Sequence, residues 1–152
     1  MFPTYPAITN PVTLRTSAAL PAAGAWDATP LSAIVGTTSR INLYFEYTRG
    51  AAGGAVDWKI ETALPAGTEW YQTTIESPGI MVVGSDIQSF VQRNHRTYTS
   101  TGAAIERFVY GPIEIEGVEG FRVVARESGV VGNPGTFEVL AIIDSIAIGG
   151  GN

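Results

Sequence analysis

The sequence predicts a single all-β domain, either an antiparallel β-sandwich or a jelly roll or barrel of about eight to ten strands. Apolar residues recur at every second position, Gly- and Pro-rich turns separate short segments, and no segment has convincing helical periodicity. A chain of 152 residues with a 45% hydrophobic fraction suits one packed domain. We place an extended N-terminal arm at residues 1–11, the β-sandwich domain at 12–148 and a flexible tail at 149–152.

The clearest alternation lies in residues 40–47 and 56–61, where apolar side chains share one face and polar side chains share the other. This pattern predicts two half-buried strands. A Gly-rich connection at 48–54 separates them, so we expect a hairpin with a long loop. Residues 136–148 are almost continuously apolar, which predicts a central strand or a second face covered by a partner. A short helical turn is expected only in residues 30–35.

The N-terminal arm contains Pro3, Pro6 and Pro11. Prolines at this spacing forbid a helix and favour an extended, polyproline-like conformation. Such an arm either lies on a neighbouring subunit or is a frayed terminus. In the first case its aromatic residues, Phe2 and Tyr5, are candidate interface residues.

Composition argues against several classes of partner. The net charge of -5 disfavours nucleic acid, because phosphate binding needs a basic surface. No stretch approaches 18 apolar residues, so we expect no membrane-spanning segment. The chain has no cysteine, which removes disulfides, thiolate metal ligands and thiol nucleophiles. The N-terminal sequence lacks the pattern of a secretory signal, which predicts synthesis in a cytoplasm.

The polar residues do not form a recognisable catalytic set, and we predict no catalytic residue, no metal site and no cofactor. The single histidine, His95, is flanked by Arg93 and Arg96, with no nucleophile or orienting carboxylate beside it in sequence. Glu114 and Glu116 project from the same face of a predicted strand. They either hold Ca²⁺ or form the solvated face of an edge strand, and we favour the edge strand.

Arginine and aromatic residues are the candidates for contacting a partner. Eight arginines stand against one lysine, which indicates either an interface-rich surface or the codon bias of a GC-rich genome. Trp58 falls on an apolar strand face and is assigned to the core. Trp26 lies in or near a loop, and one ring of Trp70-Tyr71 must face outward. The candidate interface residues are Phe2, Tyr5, Arg15, Trp26, Tyr71, Arg93 and Arg96.

Residues 47–50 (YTRG), 53–61 (GGAVDWKIE) and 70–71 (WY) follow one another in a pattern that resembles small β-sandwich structural proteins of tailed-bacteriophage virions. Residues 121–129 (FRVVARESG) and 133–136 (NPGT) resemble the closing hairpin of the same proteins. These are turn-and-strand patterns, and they assign no role to individual residues.

The resemblance spans residues 40–145 and implies a non-enzymatic virion structural protein. It points first to a capsid decoration, or cement, protein that binds and stabilises the lattice of the major capsid protein. It also implies a homo-oligomer, with a trimer favoured, located on the capsid surface after synthesis in the host cytoplasm. A minor head or tail component of the virion is an alternative. The aromatic residues and the Glu114–Glu116 pair leave a carbohydrate-binding, lectin-like module as a second alternative.

Overall fold

The computed structural model describes residues 10–22, 25–35, 38–73, 75–83, 86–93, 95–128 and 132–145. Within these ranges it contains eleven strands and no helix, which confirms the all-β prediction. The strands are β1 (Val12–Ala19), β2 (Ser32–Ile34), β3 (Thr38–Thr48), β4 (Ala55–Ala63), β5 (Tyr71–Gln72), β6 (Ile75–Val83), β7 (Asp86–Arg93), β8 (Arg96–Thr99), β9 (Ile105–Glu116), β10 (Gly120–Glu127) and β11 (Thr136–Ser145).

Two antiparallel sheets pack face to face. One sheet has the order β1-β11-β3-β9 and the other the order β2-β10-β4-β5, with β8 also paired to β4. Strands β5 and β8 lie in line along the same edge of β4, because Gln72 is opposite Glu61 and Arg96 is opposite Trp58. Together they fill one strand position that the chain interrupts.

With β5 and β8 counted as one position, the sandwich has eight positions, four in each sheet. The first position pairs with the last, the second with the seventh, the third with the sixth and the fourth with the fifth. This nested antiparallel pairing is the topology of a jelly roll. The predicted β-sandwich is confirmed, and the strand order identifies its jelly-roll form.

Strands β6 and β7 form a separate antiparallel hairpin. Within the described residues they pair with each other and with no strand of either sheet. The hairpin leaves the interrupted strand after Thr73, whose N–H donates to the Ile60 carbonyl at 2.9 Å. The chain returns at Arg96, opposite Trp58 and two register positions further along β4, so the hairpin is an insertion into an edge strand.

The hairpin predicted for residues 40–47 and 56–61 is wrong, because β3 and β4 lie in different sheets. The closing hairpin suggested by the resemblance is also wrong, since β10 and β11 lie in different sheets too. Alternation identifies the apolar face of a strand but not the strand beside it. The apolar faces of β3 and β4 meet across the core, where the rings of Phe45 and Trp58 are 4.8 Å apart between centroids.

The helical turn expected in residues 30–35 is also wrong. The segment contains β2, whose residues Ser32, Ala33 and Ile34 pair with β10. Ala33 is buried while Ser32 and Ile34 are exposed, which is the alternation of a strand on the edge of a sheet. Pairing with β10 therefore determined the structure of a segment too short to have a clear period of its own.

Other expectations are confirmed. Strand β11 lies between β1 and β3, so the apolar last segment is internal to its sheet. Strand β9 ends its sheet in the described chain, which places Glu114 and Glu116 on an edge strand. At Gly111-Pro112 the pairing of β9 with β3 has a register shift. Trp58 is buried in the core as predicted.

The predicted arm and tail lie almost entirely outside the described residues, and Phe2 and Tyr5 lie there with the arm. Asn10 and Pro11 precede β1 and are exposed. The described part of the chain contains no helix that is long and apolar enough to cross a membrane.

Candidate functional site

Trp26 covers the outer face of β4 and β10, where it meets three polar side chains. The Arg126 guanidinium carbon lies 4.2 Å from the centroid of the indole ring, and the Lys59 ammonium lies 4.7 Å from it. The His95 ring meets the indole edge-on at 5.6 Å. Cations packed against an aromatic face are attracted by its quadrupole, so these contacts stabilise the covered face of the sheet.

Asp27 determines where Trp26 lies. Its backbone N–H donates to the Ala125 carbonyl, and its side chain accepts from the Ala125 N–H, both at 3.1 Å. Asp27 thus takes the place of a strand residue beside β10. Arg15 donates to the same carboxylate from Nε at 2.9 Å and from a terminal nitrogen at 3.1 Å.

Arg15, a candidate interface residue, lies inside the domain with 8% of its surface exposed. Its guanidinium also donates to the carbonyls of Ala18 at 2.9 Å and Ala19 at 3.0 Å. A third carbonyl, that of Phe137 in β11, accepts from it as well. Bidentate pairing with a carboxylate and several carbonyl acceptors saturates the guanidinium within the chain. The structure therefore assigns Arg15 to linking β1, β11 and the loop that carries Trp26.

Asp57 is the most buried carboxylate beneath Trp26, with 2% of its surface exposed. It accepts from the Thr97 hydroxyl at 2.6 Å and from Arg126 Nε at 2.9 Å, and His95 Nε2 lies 3.5 Å away. Burial acts to raise the pKa of Asp57. The hydrogen bonds from Thr97 and Arg126, together with His95, outweigh burial and hold that pKa below its ordinary value.

This arrangement lacks the connectivity of a nucleophilic triad. In such a triad the histidine accepts the proton of the hydroxyl and the carboxylate orients the histidine. Here the Thr97 hydroxyl donates to Asp57, so it is engaged by the carboxylate. The observed role of Asp57 is to join β4, β8 and β10.

Arg96, another candidate interface residue, lies between the two sheets at the edge formed by β8 and β9. Its guanidinium carbon is 4.5 Å from the centroid of the Tyr110 ring. Next to it, Tyr98 stacks on Phe108 with centroids 4.0 Å apart. The Nε of Arg96 is buried and has no hydrogen-bond partner among the described residues. The contact with Tyr110 therefore links β8 of one sheet to β9 of the other.

The remaining candidates lie in and beside the inserted hairpin. Tyr71, in β5, is 54% exposed, as expected for the outward ring of Trp70-Tyr71. Arg93 ends β7 and is the register partner of Ile75. The structure does not bring the predicted residues together in one site, since Arg15 and Arg96 are engaged inside the sandwich.

Glu114 is paired with Arg40, with 3.0 Å between a carboxylate oxygen and a guanidinium nitrogen on two half-exposed side chains. The pair joins β9 to β3 across the outer face of the sheet. Within the described ranges no three His, Asp or Glu side chains are grouped so that they could hold a metal ion.

An apolar row that was not predicted from the sequence lies on the outer face of the four-stranded sheet. Tyr44 in β3 is the register partner of Leu140 in β11 and of Val109 in β9. Tyr44 is 45% exposed and Val109 is 58% exposed, while Leu140 and Ile142 are half-buried. We call these four residues and the carboxylates beside them, Glu46 and Glu138, the Tyr44 face. One sequence signal could have indicated this row: an aromatic residue, Tyr44, lies on the otherwise polar face of residues 40–47.

Charge on the Tyr44 face is unbalanced. Glu46 is the register partner of both Glu138 and Arg107, and Arg107 Nε lies 2.8 Å from a Glu46 oxygen. Glu138 has no ion pair with any described residue. Two carboxylates directly opposite each other with one guanidinium leave a surplus negative charge. The row of apolar side chains therefore lies beside a carboxylate with no cation paired to it among the described residues.

A shallow depression of about 260 Å³ lies on this face. Its lining includes the Tyr44 and Val109 side chains and the carboxylates of Glu46 and Glu138. An aromatic anchor, apolar neighbours and charged residues at the margin are the features of a protein-binding surface.

Comparison with models of protein families, with curated proteins and with solved structures finds no match for this chain.

Proposed function

We propose that the protein is a non-enzymatic structural protein of a tailed-bacteriophage virion. More specifically, we propose a capsid decoration protein that binds the major capsid protein lattice, acts as a homo-oligomer and resides on the capsid surface. The observation that carries the proposal is the Tyr44 face, an apolar row on the outer face of the four-stranded sheet beside Glu138, which has no ion pair with any described residue. Such a surface suits a protein partner.

The polar groups of the chain support a structural role. Asp57, Arg15 and Asp27 are buried or nearly so, and each joins two or more segments of the fold. A catalytic constellation needs a nucleophile, a base and an orienting group that face a substrate. The described polar clusters instead face other parts of the chain.

The jelly-roll topology supports the proposal by analogy of fold. Jelly rolls occur in viral capsid proteins and in lectins, which are the two classes that the sequence left open. A fold hosts many functions, so the side chains must decide between these classes.

The tryptophans favour the virion class over a lectin. A sugar stacks on a free aromatic face, but Trp58 is in the core and Trp26 packs against Arg126 and Lys59. Trp70 packs against Arg122, whose guanidinium carbon lies 4.2 Å from the indole centroid. The carbohydrate-binding alternative would therefore depend on a tyrosine such as Tyr71.

Binding would stabilise the shell by linkage. A protein that binds the assembled lattice and not the separated subunits shifts the equilibrium towards the lattice. At a free concentration one hundred times the dissociation constant, each site contributes about 2.7 kcal/mol.

The test is sedimentation of the purified protein with shells assembled from the major capsid protein encoded in the same genome. We expect the protein to pellet with the shells, to leave unassembled capsid protein in solution and to raise the temperature at which the shells disrupt. A parallel sample deleted of residues 1–11 measures what the arm contributes. Binding to tails and not to shells would move the proposal to the tail alternative. Binding to neither, or specific glycan binding on an array, would overturn it.

A further inference from the structure

We propose that the Tyr44 face binds a basic protein surface of the capsid shell, one that places a lysine or arginine against Glu138 and apolar side chains against Tyr44. This inference rests on the proposed function and deepens it, because it names the chemistry of the partner surface. Lattice binding through another part of the molecule would leave the proposed function standing while this inference fails.

The first observation concerns Glu138, which is half-buried and has no partner in the chain. It makes neither an ion pair nor a hydrogen bond with any described residue. The other buried or half-buried carboxylates of the described chain, such as Asp57 and Glu127, each accept at least one hydrogen bond from within it. Withdrawing a carboxylate from water costs free energy that a donor or a cation offsets. Among these carboxylates, Glu138 therefore has the most to gain from a cation on a partner.

The second observation is that Glu138 lies beside exposed apolar side chains. Its register partner Glu46 is two residues from Tyr44, so the Tyr44 ring lies on the same face. Tyr44 and Val109 are register partners with 45% and 58% of their surfaces exposed. Both line the depression of about 260 Å³, together with Glu138 and Leu140. Tyrosine is a frequent anchor of protein interfaces, so apolar groups carried beside a cation would fit this depression.

The third observation is the charge of the whole protein, which favours a basic partner over a second copy. With a net charge of -5, two copies repel each other and a basic surface is attracted. Six of the nine lysine and arginine side chains already form ion pairs within the described chain. A second copy therefore has at most three cations to offer Glu138. A basic surface of another protein supplies both the cation and the long-range attraction.

The first experiment measures how strongly the full chain binds shells assembled from the major capsid protein, by sedimentation. We expect Glu138→Gln to weaken binding about tenfold and Glu138→Lys at least about a hundredfold, because the first removes an attraction and the second adds a repulsion. Raising NaCl from about 0.05 M to about 0.5 M should weaken wild-type binding about tenfold, since salt screens the attraction. Glu138→Gln should respond less to salt than the wild type.

Glu116→Gln is the matched control for charge. Glu116 is an exposed carboxylate on the outer face of the same sheet, and it too has no ion pair with any described residue. Its register partner Thr38 is eight residues along β3 from Glu46, the partner of Glu138, which is a separation of about 26 Å. The substitution thus makes the same chemical change far from Tyr44. Its affinity and salt dependence should equal those of the wild type.

The second experiment tests the apolar part of the contact. Tyr44→Ala should weaken shell binding at least about tenfold. Tyr71→Ala is the matched control, because Tyr71 is an exposed tyrosine on the other sheet, and its affinity should equal that of the wild type. Circular dichroism checks that every variant is folded. Val109→Ser, which should also weaken binding, provides a second variant in the same row.

Four results would overturn the inference. They are wild-type affinity in Glu138→Lys, shell binding that does not respond to salt, loss of binding in Tyr71→Ala with none in Tyr44→Ala, and an oligomer that Tyr44→Ala converts to a monomer in light scattering. The last result would assign the Tyr44 face to a second copy. In each case the wild type still pellets with shells, so the proposed function stands. A wild type that does not pellet with shells overturns the proposed function, and this inference with it.

Discussion

At the scale of single residues, Glu127 shows how the two sheets and two loops are joined. It is fully buried in β10 and accepts the Tyr47 hydroxyl, with oxygen distances of 3.1 and 3.2 Å. The Ala55 N–H donates to one carboxylate oxygen and the Gly135 N–H to the other, each at 3.0 Å. Burial, and then the neighbouring Glu127, raises the pKa of Tyr47 well above its ordinary value.

We expect Glu127→Gln to be more destabilising than Tyr47→Phe. Phenylalanine removes one donor to a charged group, at a cost of about 2 kcal/mol. Glutamine must place its NH₂ group against the Ala55 or Gly135 N–H, so a buried donor loses its acceptor and the cost rises to at least about 3 kcal/mol. Urea unfolding measures both, and equal losses would contradict this account of Glu127.

The lowered pKa of Asp57 predicts how the free energy of unfolding depends on pH. Its pKa is lower in the folded chain than in the unfolded chain, so its stabilising contribution is present above the unfolded pKa of about 3.9. That contribution is lost as pH falls below this value through the folded pKa. Asp57→Asn should cost about 2 kcal/mol at pH 7 and should show a smaller fall in unfolding free energy between pH 5 and acid than the wild type. Parallel acid dependence in both proteins would refute the role of Asp57.

At the scale of elements, two of the connections that cross between the sheets, β3–β4 and β10–β11, lie against each other. A Cβ on Gly135 would collide with the Thr48 carbonyl, and one on Gly50 with the carbonyls of Asn133 and Pro134. The Asn133 side chain also donates to the Gly50 carbonyl. The two turn patterns behind the bacteriophage resemblance, at 47–50 and 133–136, are therefore one packed unit. Close backbone approach explains the glycine in each pattern, Gly50 and Gly135.

We predict that the sandwich folds without the inserted β6–β7 hairpin. Thr73 is bonded to Ile60 and Arg96 is opposite Trp58, so a single residue suffices to bridge them beside Lys59. Deleting residues 74–94 joins Thr73 to His95 and should restore an uninterrupted strand. We expect the melting temperature to change by a few degrees at most, because the sandwich core is untouched. Loss of cooperative unfolding would show that the hairpin is part of the core fold.

At the scale of the whole molecule, the sequence alone predicted the fold class and favoured an edge strand for Glu114, and it left the last strand as either central or covered by a partner. Period-two alternation and continuous apolar character are local properties of the sequence. They directly indicate which side chains of a strand are buried. The sequence alone could not show which strands pair, because an alternating strand fits a neighbour in its own sheet as well as one across the core. Tertiary structure placed β3 and β4 in different sheets and produced the jelly roll.

The candidate surface residues divide in the same way, into those that the sequence identified and those that only the tertiary structure revealed. Sequence placed Trp58 in the core and required one ring of Trp70-Tyr71 to face outward, since each statement depends on one strand's pattern, and the outward ring is Tyr71. It could not show that Arg15 is buried among carbonyls, or that Tyr44, Val109 and Leu140 form one row. Those features arise where segments far apart in the chain are brought side by side, and pairing register is decided by the packing of the whole core. The sequence by itself determined that this chain is a β domain. The tertiary structure decided which of its apolar side chains stay exposed.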